Sequence, residues 1–432
     1  VYLDIGEVRG KADDIHMAKK LLMGNEAIAL GAMRAGVSVV TGYPGTPSTE
    51  VLETVAKHND GSIYVEWSVN EKVALEVAAG AAYAGARSMV TMKQVGLNVA
   101  SDPLMSLNYI GVKGGMVIVV ADDPGPISSQ TEQDTRHFGK YAKIAVFDPS
   151  SPEEAYTMVA DAFDYSEKYG HPVILRPTTR VCHSCSTVEI LENIPKKEPE
   201  GFEKSSRWVI FPKLAYENKI KIEETLKIMS DDFSNYERNF INGSGKKGII
   251  TGGVSYSYVN EAMQNTLAEC KIMKVSTTPF PQKLALEFSQ GLEEVLVVEE
   301  LDSVIENELI TLCGLHNLKV KINGKLTGHV KNAGENTVDS VSVVVRDFLG
   351  SDATANTSIN GDCAATNAHA SESVNTSAEA PPELPIRPPV LCAGCPHRAS
   401  FFAVKEATKG MNAVYSGDIG CYTLGNAMPL NM

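Results

Sequence analysis

The chain has 432 residues, with 39 Lys and Arg against 53 Asp and Glu, a formal charge of −14. At about 150 residues per domain this length predicts roughly three domains, and 43% apolar residues exclude global disorder. The acidic balance argues against a nucleic-acid partner. No apolar run approaches the ~20 residues of a membrane helix, and Val1–His16 lacks the apolar core of a signal peptide. Eight cysteines are too sparse for a disulfide scaffold, so a reduced, cytoplasmic setting is expected.

In chain order, residues 1–20 read as an N-terminal extension and 21–190 as a first domain. Asn25–Ala35 is predicted helical and Val37–Gly42 a buried strand. The turn-rich loop Tyr43–Ser48 follows, after which Ser48 or Thr49 is placed to cap a helix over Glu50–His58. Ile63–Glu66 is a strand, Glu71–Gly85 a helix, Ser88–Met92 a strand, Asn98–Leu107 a helix and Gly115–Ala121 a strand. Ser151-Pro-Glu-Glu opens a helix to Lys168 with a sound N-terminal signal, and Pro172–Arg176 is the last strand. Strands separated by helices predict an α/β fold with a doubly wound parallel sheet.

Residues 191–245 are Lys- and Glu-rich and read as a connector with helical stretches such as Ile222–Ile228. Residues 246–350 predict a smaller α/β domain, with strands Gly248–Thr251 and Glu294–Glu299 and helices Ser255–Cys270 and Ser303–Cys313. Residues 351–387 turn polar, too poor in large apolar groups to offset their ordering entropy, and read as a flexible linker. Regular sequence resumes at Pro388, with a helix over Ala399–Lys409 and a strand over Ala413–Ser416. About 45 residues cannot complete a third domain of this kind, so the chain is expected to be cut at Met432 or completed elsewhere.

The richest stretch for chemistry is Asn70–Asn98. Its first helix carries Ala74, Ala78, Ala79, Gly80, Ala81, Ala82, Ala84 and Gly85. Interior glycine costs a helix about 1 kcal/mol, so this composition predicts close approach by another helix or a ligand. Glu71 heads that helix. At a packed interface such a carboxylate can hold a proton or bond a basic heterocycle; the ordinary alternative is a Glu that complements the helix dipole. The Tyr43–Ser48 loop lies at the carboxyl end of a strand, where open α/β sheets place ligands. Gly45 there permits close backbone approach, and Thr46 offers a hydroxyl. Arg136 has the fork geometry for a carboxylate, with an ion pair to Asp134 as its ordinary alternative.

The pattern Glu71-x-x-Ala…Gly80-Ala-x-x-x-Gly85-Ala-Arg87 resembles the pyrimidine-binding domain of thiamine-diphosphate enzymes. Gly42-Tyr-Pro-Gly-Thr-Pro-Ser48, Lys93-Gln-Val-Gly-Leu97 and Ala121-Asp-Asp-Pro-Gly-Pro126…Thr131-Glu-Gln-Asp-Thr-Arg136 extend the likeness. Leu391-Cys-Ala-Gly-Cys-Pro-His-Arg398 and Ser416-Gly-Asp-Ile-Gly-Cys-Tyr-Thr-Leu-Gly425 look like the opening of the diphosphate-binding domain. Together, over about residues 20–190 and 246–432 apart from the polar insert, these motifs resemble the 2-oxoacid:ferredoxin oxidoreductases. Within that family they are most like the α subunits of the indolepyruvate-oxidising group.

The resemblance implies a pyrimidine-binding domain, a transketolase C-terminal-like middle domain over 246–350, and the start of a diphosphate-binding domain over 388–432. It implies thiamine diphosphate with Mg2+, and oxidative decarboxylation of an aryl pyruvate with coenzyme A to an aryl-acetyl-CoA, CO2 and reduced ferredoxin. Glu71 is the implied catalytic residue. By hydrogen bonding to the aminopyrimidine it would favour the imino tautomer, whose nitrogen takes the C2 proton. Implied cofactor contacts are Gly45, Thr46, Pro47, Gln94, Gly96, Gly394, Cys395, His397, Gly417, Asp418, Gly420 and Cys421, with Arg136 on the substrate carboxylate. Implied partners are a smaller β subunit, as in a heterodimer, and ferredoxin.

The chain departs from the family at its end. The magnesium motif and the cysteines for two 4Fe-4S clusters would lie beyond Met432, and no C-x-x-C-x-x-C run replaces them. Cys392/Cys395 and Cys182/Cys185 each supply only two of the four ligands of a metal site, so no metal site is assigned within the chain. Gly252-Gly253 looks like a phosphate loop, but one glycine pair is weak evidence and an architectural middle domain is preferred. Two alternatives stay open: a non-oxidative thiamine-diphosphate decarboxylase, and a truncated subunit that catalyses nothing.

Overall fold

The computed structural model describes residues 19–350, except 265 and 267, together with 390–415 and 420–426. The polar segment 351–387 lies outside the described residues. The chain divides into two units, Val1–Thr357 and Ser358–Met432.

The first part of unit one alternates as the sequence predicts. Its elements are β1 (Lys19–Met23), α1 (Gly24–Arg34), β2 (Val39–Gly42), α2 (Thr49–His58), β3 (Tyr64–Trp67), α3 (Glu71–Tyr83), β4 (Ser88–Lys93), α4 (Gln94–Ile110) and β5 (Met116–Ala121). Then come α5 (Thr135–Ala142), β6 (Val146–Phe147), α6 (Pro152–Tyr169), β7 (Val173–Leu175), α7 (Thr179–His183) and β8 (Cys185–Glu189). Parallel pairing gives the order β6-β7-β5-β4-β2-β3.

The apolar run of β5 shows why the sheet is covered on both faces. Val117 and Val119 face a core with Ile28, Ala32, Val51, Val55, Met158 and Val159 of α1, α2 and α6. Met116, Ile118 and Val120 face the opposite core with Ala74, Leu75, Ala78, Leu97 and Leu104 of α3 and α4. Alternate residues of a strand point to opposite faces, so a strand buried on both is apolar throughout. Ser151 accepts from the Glu154 N–H ahead of Pro152, which fixes the start of α6 as its sequence predicts. Gly31 lets α1 press on α6: a Cβ there would lie 2.2 Å from the Tyr156 carbonyl oxygen.

The segment expected as a connector holds the 22-residue helix α8 (Pro212–Phe233) and an edge strand, β9 (Phe240–Asn242). Beyond it lie β10 (Lys247–Gly252), α9 (Val254–Gln264), β11 (Lys271–Val275), β12 (Thr277–Thr278), α10 (Gln282–Ser289), β13 (Glu294–Val298), α11 (Val304–Leu315), β14 (Lys321–Asn323) and α12 (Val338–Leu349). These make a five-stranded sheet in the order β14-β13-β10-β11-β9, with β9 antiparallel. Strand β12 leaves it to pair antiparallel with β6, so the first sheet has seven strands and the two halves share a seam.

In unit two, α13 (Pro396–Ala407) starts three residues before the helix expected there. Of the strand expected over Ala413–Ser416, residues 413–415 have no regular structure and Ser416 lies outside the described residues.

Candidate active site

The carboxyl edges of β2, β4 and β5 lie side by side, with Gly42 opposite Thr91 and Lys93 opposite Ala121. Three segments leave this edge: the loop Tyr43–Ser48, the first turn of α4 directly after Lys93, and the segment after Ala121.

Glu71 stands at the head of α3, whose start is fixed by the Asn70 side chain accepting from the Val73 N–H at 2.9 Å. The half-buried Glu71 carboxylate has no hydrogen-bond partner among the described residues. It lies over Gly96: a Cβ on that glycine would come within 2.5 Å of Glu71 Oε1 and 2.8 Å of its carboxyl carbon. Gly96 therefore works as a cradle for the carboxylate. Gly96→Ala must push Glu71 aside, so any turnover that depends on the Glu71 carboxylate should fall by about 10²-fold or more while the unfolding midpoint stays close to wild type. Unchanged turnover would remove the cradle from the account.

The small residues of α3 divide. Ala78, Ala79 and Ala82 are buried where α3 meets α4 and the sheet. Gly80 is exposed with nothing within 4 Å of a Cβ, so the expected close approach is not made at Gly80 by the described residues. Gly85 serves the turn after the helix, at φ +90°.

The Tyr43–Ser48 loop is closed by its own hydroxyls. Ser48 occupies the N-cap position of α2 but makes no cap bond. Its hydroxyl donates to the Gly45 carbonyl at 3.0 Å, and Thr49 Oγ1 accepts from the Gly45 N–H at 3.0 Å. The capping expected of these residues is thus replaced by loop closure. The Thr46 side chain is exposed and Pro47 buried. Asn25, fully buried on α1, anchors the loop from below: Nδ2 donates at 2.7 Å to the Pro47 carbonyl and at 2.7 Å to Glu50. Sequence reasoning missed Asn25; the only signal was an amide on a helix face otherwise apolar.

Gln94 is buried, and its Nε2 donates to the Thr131 carbonyl at 3.1 Å, so it steadies the segment after β5 over the edge. Ser128 Oγ of that segment donates to the Thr46 carbonyl at 3.3 Å.

Arg136 requires a correction. The structure does not offer it to a substrate carboxylate. It is buried, and its guanidinium donates to Asp134, to Glu299 at 2.7 Å, and to the carbonyls of Glu300 and Asp302. It locks the first sheet's domain to the second. Arg176 adds bonds to Asp122 at 2.7 Å and Asp148 at 3.0 Å. Burial works to raise the Asp134 carboxyl, but Arg136 and Arg176 outweigh it and hold the group well below its ordinary range. Asp134, His137 and Asp302 have metal-compatible spacing, but Asp134 is already taken by Arg136 and by the Asp302 N–H.

Glu300 borders this lock, and burial pushes its carboxyl up to about 7 from the ordinary 4.5. The folded chain then holds the proton more tightly than the unfolded one. The resulting stability is complete below about pH 4.5 and lost as pH rises through about 7. Glu300→Gln keeps an acceptor for the Asn336 N–H. Its stability relative to wild type should improve by about 2–3 kcal/mol between pH 5 and pH 8. Parallel unfolding profiles for the two proteins would contradict this.

Gly252-Gly253 does not form an open phosphate loop. Gly253 has φ +53°, and a Cβ there would meet Asp148 Oδ1 at 2.8 Å, so the Asp148 carboxylate fills the space. Cys182 is buried, its thiol pushed well up by burial, whereas Cys185 is exposed.

In unit two, Cys392–Cys395 forms a turn onto α13 in which the Cys395 N–H and Arg398 Nε donate to the Cys392 carbonyl at 3.2 Å. Gly394 takes φ +73° in that turn. Cys395 Sγ lies 3.3 Å from His397 Nδ1, and the His397 ring packs edge-on to Tyr422 at 4.8 Å. Gly420 and Cys421 begin a short 3-10 turn, with Cys421 exposed. Gly417 and Asp418 lie outside the described residues.

These features define a class first: an α/β protein of the thiamine-diphosphate enzyme fold, with its candidate loops at the carboxyl edge of a parallel sheet. The structure is similar to that of a 2-oxoglutarate:ferredoxin oxidoreductase from Magnetococcus marinus, with a TM-score of 0.62 and 20% identity over 77% of this chain and 65% of that one. A split-gene transketolase is similar at TM-score 0.50 and 13% identity, over 76% of this chain and 96% of that one. At these identities the likeness carries the fold alone.

Sequence comparison is more specific. Residues 30–236 match the family model described as pyruvate flavodoxin/ferredoxin oxidoreductase, thiamine diphosphate-binding. Indolepyruvate oxidoreductase subunit IorA of Archaeoglobus fulgidus is 41% identical over 96% of this chain and 66% of its own length. The same subunit of Thermococcus kodakarensis is 42% identical over 95% and 63%. 2-Oxoglutarate synthase subunit KorA of A. fulgidus is 24% identical over 69% and 92%. The chain belongs to the pyruvate flavodoxin/ferredoxin oxidoreductase family through the thiamine diphosphate-binding domain matched over residues 30–236. It spans no more than about two thirds of the length of these IorA relatives.

Proposed function

We propose that this chain supplies the pyrimidine-binding half of the active site in an α subunit that oxidatively decarboxylates aryl pyruvates, indolepyruvate among them, with coenzyme A and ferredoxin. The observation that carries the reading is the half-buried Glu71 carboxylate, cradled by Gly96 at the sheet edge and without a protein partner among the described residues. An anionic acceptor held in place and left unpaired fits a ring nitrogen that must be kept protonated.

Thiamine diphosphate, when bound, supplies the electron sink that lets a 2-oxo acid lose CO2. The chain's own residues position and hold. Glu71 would hold a proton toward the pyrimidine ring nitrogen of the bound cofactor. Gly96 leaves room for Glu71, Asn25 and Ser48 hold the Gly45–Pro47 backbone, and Gln94 keeps the segment after β5 over the site. The Cys392–Arg398 turn, with Gly420 and Cys421, is assigned to the diphosphate half, where Mg2+ would bind together with groups beyond those described. A smaller β subunit and ferredoxin are the proposed partners, in the cytoplasm. Among the described residues no helix is long and apolar enough to cross a membrane. The oxidoreductase from M. marinus is described with 2-oxoglutarate, coenzyme A and succinyl-CoA bound; coenzyme A is the acceptor proposed for this chain.

The test is product analysis of the purified, full-length complex under anaerobic conditions with indolepyruvate, coenzyme A and ferredoxin. Indoleacetyl-CoA with reduced ferredoxin is expected. An aldehyde without reduced ferredoxin would replace the reading with a non-oxidative decarboxylase, and no reaction with any 2-oxo acid would overturn it.

A further inference from the structure

Arg136 is locked between domains and is not offered to a substrate carboxylate. Lys93 ends β4 and stands directly before α4, three residues ahead of the Gly96 cradle. Its stem lies alongside Gly45: a Cβ on that glycine would sit 3.2 Å from Lys93 Cγ, 3.3 Å from Cδ and 3.6 Å from Cε. The side chain thus extends from the strand end across the Tyr43–Ser48 loop, and Gly45 leaves the width it needs. Lys93 is half-buried, and among the described residues its ammonium makes no hydrogen bond or ion pair. Arg176 and Arg180, by contrast, are paired with carboxylates.

We propose that Lys93 binds the carboxylate of the 2-oxo acid, with its stem guided over Gly45 and its ammonium near Thr46. The proposal rests on the reading of this edge as a 2-oxo acid site. A lysine is a compact point charge with three donors, suited to a carboxylate approached from one side. The carboxylate keeps its charge until CO2 departs, so the contact is made about equally in the bound acid and on the way to the barrier. Binding of that kind lowers KM without raising kcat.

Lys93→Met keeps the stem over Gly45 and removes the charge. In the full-length complex, KM for the 2-oxo acid should rise roughly 10- to 100-fold, with kcat within about threefold of wild type and thiamine diphosphate affinity unchanged. Lys93→Arg should recover part of the loss. A second readout needs no turnover: inhibition by indoleacetate should weaken in Lys93→Met, while inhibition by the neutral indoleacetamide should not. An unchanged KM and unchanged indoleacetate inhibition would overturn the proposal. So would a loss confined to thiamine diphosphate affinity, which would move Lys93 to the cofactor. If wild type itself turns over no 2-oxo acid, the reading of the site has failed, a result distinct from a silent variant of an active enzyme.

Discussion

Glu71→Gln in the full-length complex should lower ferredoxin-coupled turnover by about 10²- to 10⁴-fold, the usual worth of one positioned proton-transfer group. That corresponds to roughly 3–5 kcal/mol of barrier. Stability should change far less. Glu71 has no hydrogen bond among the described residues to lose, and its place in the first turn of α3 is worth only about 0.3–1 kcal/mol through the helix dipole. The two magnitudes separate the catalytic reading from the structural one. A variant that unfolds normally but turns over slowly supports the former. Near-wild-type turnover, or a loss of stability comparable to the loss of activity, would leave Glu71 as a helix-end residue. Steady-state rates and a denaturant titration on one preparation decide between them.

The second large effect is expected at Arg136, on stability and not on substrate binding. Asp134 and Glu299 both lie buried against its guanidinium, at 0% and 1% side-chain exposure. Removing one partner of a buried ionic cluster leaves uncompensated charge, at a cost of about 3–5 kcal/mol. Arg136→Met should therefore lower the unfolding midpoint strongly. The same substitution in a Glu299→Gln background should cost less, because one carboxylate no longer needs its counter-ion. The surviving folded enzyme should keep its KM for the 2-oxo acid. A raised KM with an unchanged midpoint would return Arg136 to the substrate site.

Arg136 also shows where sequence reading stops. Asp134, two residues away, was visible as a partner. Glu299 is 163 positions further on and reaches Arg136 only because the second domain packs on the first. Asn25 was invisible for the same reason, since Pro47 and Glu50 become its partners only when α1 and the loop meet. Conversely, β5 and α6 were legible because their signals are local: an unbroken apolar run, and Ser-Pro-Glu-Glu at a helix start. The two-residue strands β6 and β12 carry no periodicity to read, yet they form the seam between the halves. Gly96 was legible as a glycine, but the reason for it is the Glu71 carboxylate, brought over it by the packing of α3 on α4. The motif at 392–398 was legible only through family likeness, because its turn carries little local signal.

The central claim is that Glu71 governs a proton on the bound cofactor. The most direct measurement is the rate of hydrogen–deuterium exchange at C2 of enzyme-bound thiamine diphosphate, in wild type and in Glu71→Gln, quenched and read by NMR. Exchange should be fast in wild type and slower by about 10²-fold or more in the variant. Equal rates, with the cofactor bound in both, would contradict it.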